Sequence, residues 1–541
     1  MKKMKWKKAV AGICAGALTV GMLSGCGAGS DGKQTEQSKA TASEAAKESG
    51  ASGSSDAASA DAADIEWWGT NDGYLGVEVG SETYNFYKNL TGVGIYQPYV
   101  EWNGGTTYQE QLNLRIAAGE MPDVFLPVNG METDLITSGA LLDLTDLLPE
   151  YAPKLWELIP EEVWNAIKAN DPTGEGKIYY IPNVYDYGRN GGMIRKDWLD
   201  NLGLSVPTTQ EEFVEVLRAF KNDDPNGNGV QDEIPTGGRA EARWMGQLFS
   251  MYGVAMWEGY PEWDIYDGEL TYAGVTQNMK DALAFIASLY AEGLLDPETL
   301  LNDKATWDGK IYSDKVGIWE HIPQECYATA ENIADATGAK PEIVALPAIS
   351  APGYEGFYSA RRINGVGFVV AKTDDQEKIQ NIMKVLNAYG DTSLWTDFYN
   401  GVEGMHSETV DGKLTRLPVD KASQEKLILE PYNGIATLDF QLKLLNDQRT
   451  EDRAWAIDQA INCLQDIQQY EKTPAGDGIP SSIYTDYADI NNRTLYVEYA
   501  TKIITGEYSI DKFDEFVEKW YATGGEEVTK RAREWYASTQ K

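Results

Sequence analysis

Residues 224–233 read DPNGNGVQDE, a run in which oxygen-bearing side chains recur at short, even spacing. Counting Asp224 as first, Asn226 and Asn228 stand third and fifth, Gly229 sixth, Val230 seventh, Asp232 ninth and Glu233 tenth. Calcium takes about six to eight oxygen ligands in a flexible geometry. The side chains of Asp224, Asn226, Asn228, Asp232 and Glu233, with the carbonyl of Val230, could supply that set from one loop. An EF-hand would place a bidentate Glu at the twelfth position, and Pro235 stands there instead, so the loop is not an EF-hand. Such a site would draw every ligand from the protein, so the expected role of a Ca2+ ion is structural, closed to substrate. The competing reading is a solvated Asn-Gly turn with incidental acids.

Catalytic chemistry has a weaker signature. The chain has only two histidines, His321 and His406, which argues against a histidine-ligated zinc site or a Ser-His-Asp triad. No GxSxG or P-loop pattern appears. A glycoside hydrolase would need two carboxylates about 5 to 9 Å apart. With 84 acidic residues such a pair is always available, but no stretch presents a recognisable acid or nucleophile motif. The expectation is a protein that is not an enzyme.

The elements that must position these residues alternate. IEWWGTNDG (65–73) reads as a strand running into a polar loop, 84–104 as a helix end, a turn and a second strand, and YQEQLNLRIAAG (108–119) as a helix ended by glycine. MPDVFLPVNG (121–130) is a third strand. Strand–helix–strand alternation predicts a largely parallel sheet covered by helices, with ligand beyond the carboxyl ends of the strands, in the loops 69–73 and 128–131. Residues 176–220 predict two strands and then a helix entered at Thr208 or Thr209, directly before the calcium-type loop. Segments 314–323 and 361–372 read as strands, and 376–390 and 511–525 as helices stopped by glycine.

The first 25 residues carry five lysines, an apolar run from about Ala9 to Leu23 and the quartet Leu23-Ser24-Gly25-Cys26. This pattern predicts a signal peptide (1–25) ending in a lipobox, with Cys26 lipidated. Residues 26–64, rich in Ser, Ala and Gly and free of aromatics, read as a lipid-anchored disordered tether. Its mean span would be roughly 35 Å and its full reach about 130 Å. Loss of the five signal lysines takes the net charge from −38 to −43. So acidic a surface excludes nucleic acid as a partner and leaves the membrane reachable only through the anchor. Cys326 and Cys463, far apart in the chain, are expected to be two separate buried thiols.

The order of parts resembles the bacterial extracellular solute-binding lipoproteins of sugar ABC importers, and within them a large calcium-loop, oligosaccharide-binding subgroup. The residues that carry the resemblance are YQEQLNLRIAAGEMPDVF, SGALLDLTDLL and YAPKLWELIP, then IYYIPNVYDYGRNGGMIRKDWLDNLGLSVPTT, DPNGNGVQDEIP and the ending IITGEYSIDKFDEFVEKWYATGGEEVTK. The resemblance implies an α/β fold of the periplasmic-binding-protein type, with two α/β lobes closing on a ligand cleft. It places lobe one at 65–187 plus 363–400 and lobe two at 188–362 plus 401–541. The subgroup's calcium ligands fall on the six positions already named. It also implies a monomer on the outer face of the cytoplasmic membrane that delivers an oligosaccharide to importer permease subunits. A glycoside hydrolase, and a glycan sensor or adhesin on the same fold, stay as alternatives; peptide is a further ligand class.

Sugars are held by aromatic faces and by planar amide, carboxylate and guanidinium groups. The candidates at strand ends are Trp68, Asn71, Asp72 and Asn129 in lobe one, Tyr187 and Arg189 at the crossover, and Trp257, Trp319, Glu320 and Arg361 beyond it. Trp67, adjacent to Trp68, is expected to face the core. The acidic balance favours a neutral oligosaccharide over a uronate, unless Arg189, Arg361 and Arg362 converge.

Overall fold

The computed structural model describes residues 64–540, apart from positions 129, 411, 432 and 433. The signal region, Cys26, all of the tether except its last residue, Asp64, and Asn129 lie outside the described residues. Two sheets organise the chain. The first has six strands in the spatial order Ile435–Ala436, Tyr180–Tyr185, Ile363–Val370, Val124–Phe125, Ile65–Trp68, Ile95–Tyr96. The second has four, in the order Ile343–Ala345, Gly191–Arg195, Val316–His321, Ile234–Thr236.

The first sheet is mixed rather than largely parallel. The returning strand Ile363–Val370 runs antiparallel to both of its neighbours, and the other three pairings are parallel. A strand that re-enters from the second sheet arrives from the opposite end, and local alternation does not encode that direction. In Ile65–Trp68 every residue is buried. Trp67 meets Phe368 edge-on, whereas Trp68 meets Tyr108 and the Arg115 guanidinium. The two indoles therefore point to opposite faces, as a strand demands, and both faces are covered.

The second sheet is packed on both sides. Trp319 pairs across the ladder with Met193, and both face the helices Cys326–Thr337 and Ala454–Gln468. Their ladder neighbours Ile318 and Ile194 face the core formed with Lys196–Leu202 and Gln210–Asn222. The latter helix starts at Thr209 with a complete capping box, its hydroxyl and the Glu212 carboxylate satisfying each other's backbone N–H groups. Cys326 and Cys463 are both free and buried, as expected, and they lie side by side, since the Cys463 thiol is the main cause pushing the Cys326 thiol up.

The chain passes between the sheets at 185–191 and 345–363, and again after Ala436. The last passage corrects the expected placement of 401–541. Strand Ile435–Ala436 joins the first sheet, and Leu427, Leu429, Phe440, Leu444 and Trp535 enter the first core. Of the glycines expected as helix stops, Gly390 ends its helix and Gly524 does not. Gly390 ends its helix in right-handed geometry, and a Cβ there would strike the backbone of Leu155. Gly524, at φ 124°, kinks the chain between Lys512–Trp520 and Glu526–Thr539 instead of ending it. Among the described residues no helix is long and apolar enough to cross a membrane.

Candidate functional site

The sequence candidates separate into core and cleft. Trp68 is 5% exposed, and its indole N–H donates to Glu66 at 2.8 Å. Asn71 is fully buried and its side-chain oxygen accepts from the Val100 N–H, so it fixes a loop. Asp72 is exposed at φ 48°, and its charged neighbourhood is Tyr74 and Lys426. Trp319 and Tyr187 are each 1% exposed inside one hydrophobic cluster. Trp68, Asn71, Trp319 and Tyr187 are thus buried in packing or loop geometry, and Asp72 lies exposed in its loop. Strand ends carry aromatics for packing and for ligand contact, and only the second layer of helices decides which.

Four candidates do come together: Arg189, Trp257, Glu320 and Arg361, with Trp257 itself as buried as Trp68, at 5% exposed. Their centre is a two-stranded hairpin, Met256–Trp257 against Tyr260–Pro261, turned by Glu258 at φ 48° and Gly259 at φ 81°. Two successive positive φ values are the type I′ geometry that matches strand twist. Arg189 reaches Glu258 at 3.5 Å and lies 5.6 Å over the Tyr185 ring. Arg361 lies 5.9 Å over Trp257 and lines a cavity of 320 Å³ with Pro127, Glu132, Tyr180, Val366 and Ser481. The cavity spans the loop after Val124–Phe125, the returning strand and the 478–482 segment. One of the two expected loops therefore contributes.

Residues that sequence reasoning did not single out complete the wall. In GGRAEARW (237–244), Ala240, Glu241 and Ala242 all take left-handed backbone, at φ 52°, 65° and 62°, and Trp244 follows at 60°. Each such residue costs roughly 1–2 kcal/mol. The turn is held because its three N–H groups donate to the carbonyls of Asn302, Leu300 and Thr299, at 2.8, 3.2 and 3.2 Å. The Thr299 hydroxyl accepts from the Gly238 N–H and the Asn302 amide donates to the Gly238 carbonyl. Behind them Lys310 ties Asp296, Glu298 and Asn302 together at 2.7–2.9 Å. The turn presents Arg239 between Trp244 and Trp307, at 4.1 and 5.5 Å. It also presents Arg243, which shares the Tyr260 ring with Arg493 at 4.5 and 4.7 Å. His321 lies against both Trp244 and Trp307. An Arg-rich, aromatic-rich segment without apolar periodicity, followed by WEGY with its hairpin turn, was the available signal.

Glu320, next to last in its strand, lies on the face opposite Trp319 and accepts the Gly246 N–H at 2.6 Å; a side chain at 246 would displace it. Burial pushes its carboxyl up to about 7, against the pull of the Gly246 N–H and Arg239. Burial likewise pushes Asp477 up to about 7, although Arg361 and the N–H groups of Arg362 and Ile363 oppose it. Glu262 is also raised by burial, beside Arg361 and Arg493. Arg362 turns away to Glu471 at 2.6 Å. The arrangement offers aromatic faces and planar hydrogen-bonding groups to a polar ligand.

The 224–233 loop lies apart, between Gln210–Asn222 and Ile234–Thr236. Its amide and carboxylate oxygens turn inward onto its own backbone. Asp224 accepts from the N–H groups of Asn228 and Gly229, Asn226 from Asn228, and Asn228 from Val230. Asp232 pairs with Lys315 at 2.6 Å, and the Val230 carbonyl accepts from the Asp232 N–H. Among the described residues no three His, Cys, Asp or Glu side chains are grouped as a metal cluster. Glu233 is the exception to this self-satisfaction: it is buried, both carboxylate oxygens lack a partner, and burial followed by the charges of Asp224 and Asp232 raises its pKa. An orphaned buried carboxylate beside two other acids fits a cation.

Residues 98–390 match the family model described as bacterial extracellular solute-binding protein. Lipoprotein LipO of Bacillus subtilis is 26% identical over 454 residues, covering 82% of this chain and 86% of that protein. The fructooligosaccharide ABC transporter substrate-binding protein FusA of Streptococcus pneumoniae is 28% identical over 368 residues, 64% of each. Among solved structures, an extracellular solute-binding protein from Bifidobacterium longum subsp. infantis superposes with a TM-score of 0.65 at 18% identity, over 88% of this chain and 98% of that one. The chain has the periplasmic-binding-protein type of α/β fold, and it belongs to the bacterial extracellular solute-binding protein family.

Proposed function

We propose that the protein captures an oligosaccharide in the cleft built around the 256–261 hairpin and Arg361, and delivers it unaltered to an ABC importer. The observation that carries this reading is the pairing of aromatic faces with planar charged groups at one place: Trp257 with Arg361, Tyr260 with Arg243 and Arg493, and Trp244 with Arg239, beside a 320 Å³ cavity. Pockets of this size and mixed lining suit small ligands. The similarity to FusA, a fructooligosaccharide-binding protein of an ABC transporter, and membership of the solute-binding family support the same reading. Lipidation of Cys26 would hold the protein at the outer face of the cytoplasmic membrane, in keeping with the name of LipO. A structural Ca2+ on the 224–233 loop belongs to the same proposal, supported by the orphaned Glu233.

The test is calorimetric titration against oligosaccharides of several backbones, with each mixture checked for cleavage afterwards. One-to-one binding with intact glycan is the expected result, and Trp257→Ala should weaken it by about 1–3 kcal/mol. Cleaved product would convert the reading to a hydrolase. Unchanged affinity in the variant would remove the hairpin from the site.

A further inference from the structure

All fourteen arginines of the chain fall among the described residues. Eleven of them place a guanidinium nitrogen within 3.6 Å of a carboxylate. Among the described residues, Arg239, Arg243 and Arg361 make no such pair. In a chain with 84 acids and 46 bases a carboxylate partner is easy to find, so three unpaired arginines in one place call for a cause. All three lie on aromatic rings of the proposed cleft wall. Arg239 and Arg243 are joined by a backbone bridge, and Arg243 packs beneath the hairpin turn, where a side chain on Gly259 would strike it.

The nearby acids each have another partner: Asp308, the charge that acts most on Arg239, pairs with Lys304 at 2.6 Å. Glu258 pairs with Arg189, and Glu262 lies 3.6 Å from Arg493 with Arg361 also beside it. Glu320 holds the Gly246 N–H, and Asp477 holds the N–H groups of Arg362 and Ile363 at 2.9 and 3.0 Å. With both carboxyls pushed up to about 7, these two are also poor counter-charges at neutral pH. Arg239 is the most exposed to the cost: its Nε is buried without a partner, and burial is the main cause lowering its pKa. A buried charge is tolerated when it is paired. A guanidinium fixed on an aromatic plane presents two parallel donors that match a carboxylate.

We propose that the ligand is an acidic oligosaccharide whose uronic carboxylates pair with Arg239, Arg243 and Arg361. The inference rests on the proposed binding function and replaces the expectation of a neutral glycan. The left-handed turn 240–242 then has a reason to be held at a cost, because it sets two of the three guanidinium groups.

The experiment titrates the protein with galacturonate and mannuronate trisaccharides, the fully methyl-esterified galacturonate trisaccharide, and neutral maltotriose. At least one acidic trisaccharide should bind, with affinity falling as salt rises from 0.05 to 0.5 M, roughly the range over which exposed charges become screened. The methyl ester keeps the backbone and removes the charge, and should bind roughly 30-fold or more weakly if the galacturonate is the better acid. Arg239→Gln and Arg361→Gln should each lose a comparable factor for the acidic ligand. The ester comparison uses the unaltered protein, so misfolding of a variant does not decide the outcome. Maltotriose bound as well as, or better than, every acid would overturn the acidic ligand and leave the oligosaccharide function standing. No binding of any sugar would overturn both.

Discussion

Glu320 concentrates the residue-scale chemistry, because the sheet that carries it also buries its carboxyl. In the unfolded chain that carboxyl ionises near its ordinary 4.5, and in the fold it is pushed up to about 7. Between these values the folded protein keeps a proton that the unfolded chain has released, so stability is present at low pH and is lost as pH rises toward 7. Asp477 adds a slope of the same sign. Glu320→Gln removes one of the two contributions. The melting temperature of the variant relative to the parent should therefore rise from pH 5 to pH 8. A difference that stays flat over that range would mean Glu320 ionises as an ordinary carboxylate.

At the scale of elements, two loops hold unfavourable local arrangements for different reasons. The turn 240–242 is left-handed at three consecutive non-glycine residues; it donates to the carbonyls of Asn302, Leu300 and Thr299, and the Asn302 amide donates to the Gly238 carbonyl before it. Asn302→Ala breaks the bond to Gly238 and leaves its carbonyl unsatisfied, a loss of about 1–3 kcal/mol in stability. If the turn sets the ligand wall, glycan affinity should fall with it by about tenfold, a 1.4 kcal/mol effect. A lower melting temperature with unchanged affinity would make the turn structural only. In the loop 224–233, the buried and unpartnered Glu233 predicts that chelation lowers the melting temperature without abolishing the fold. Glu233→Gln should make the protein insensitive to chelator. An identical melting curve with and without chelator would leave Glu233 as an unexplained buried carboxylate.

At the scale of the molecule, the passages between the two sheets are the places where closure would act. The short parallel pair Tyr358–Ser359 and Glu471–Lys472 binds two of these passages together, and Arg362 holds Glu471 across it at 2.6 Å. Saturating ligand should lower the radius of gyration in solution scattering. It should also raise the melting temperature, by the equivalent of about 2.7 kcal/mol at a hundredfold excess over Kd. A rise in stability with no change in scattering would mean that the cleft binds without closing.

The sequence by itself determined the elements and their class. Periodicity and caps placed the helix from Thr209, the strand at 65–68 and the alternation that makes an α/β protein, because these signals are local: a capping box or a buried apolar strand is written in contiguous residues. The order of motifs also determined the family. Tertiary structure alone decided which aromatics are covered by a second layer. Trp319 and Glu320 are adjacent, yet the pleat sends one under the helices Cys326–Thr337 and Ala454–Gln468 and the other toward the site. Trp68 at a strand end looks like a sugar platform until Tyr108 and Arg115 cover it. Arg239 and Arg361 are 122 positions apart, and no spacing rule joins them. Their assembly depends on where the 239–244 turn and the returning strand cross the hairpin, and a ligand site made of crossings is a property of the packed chain.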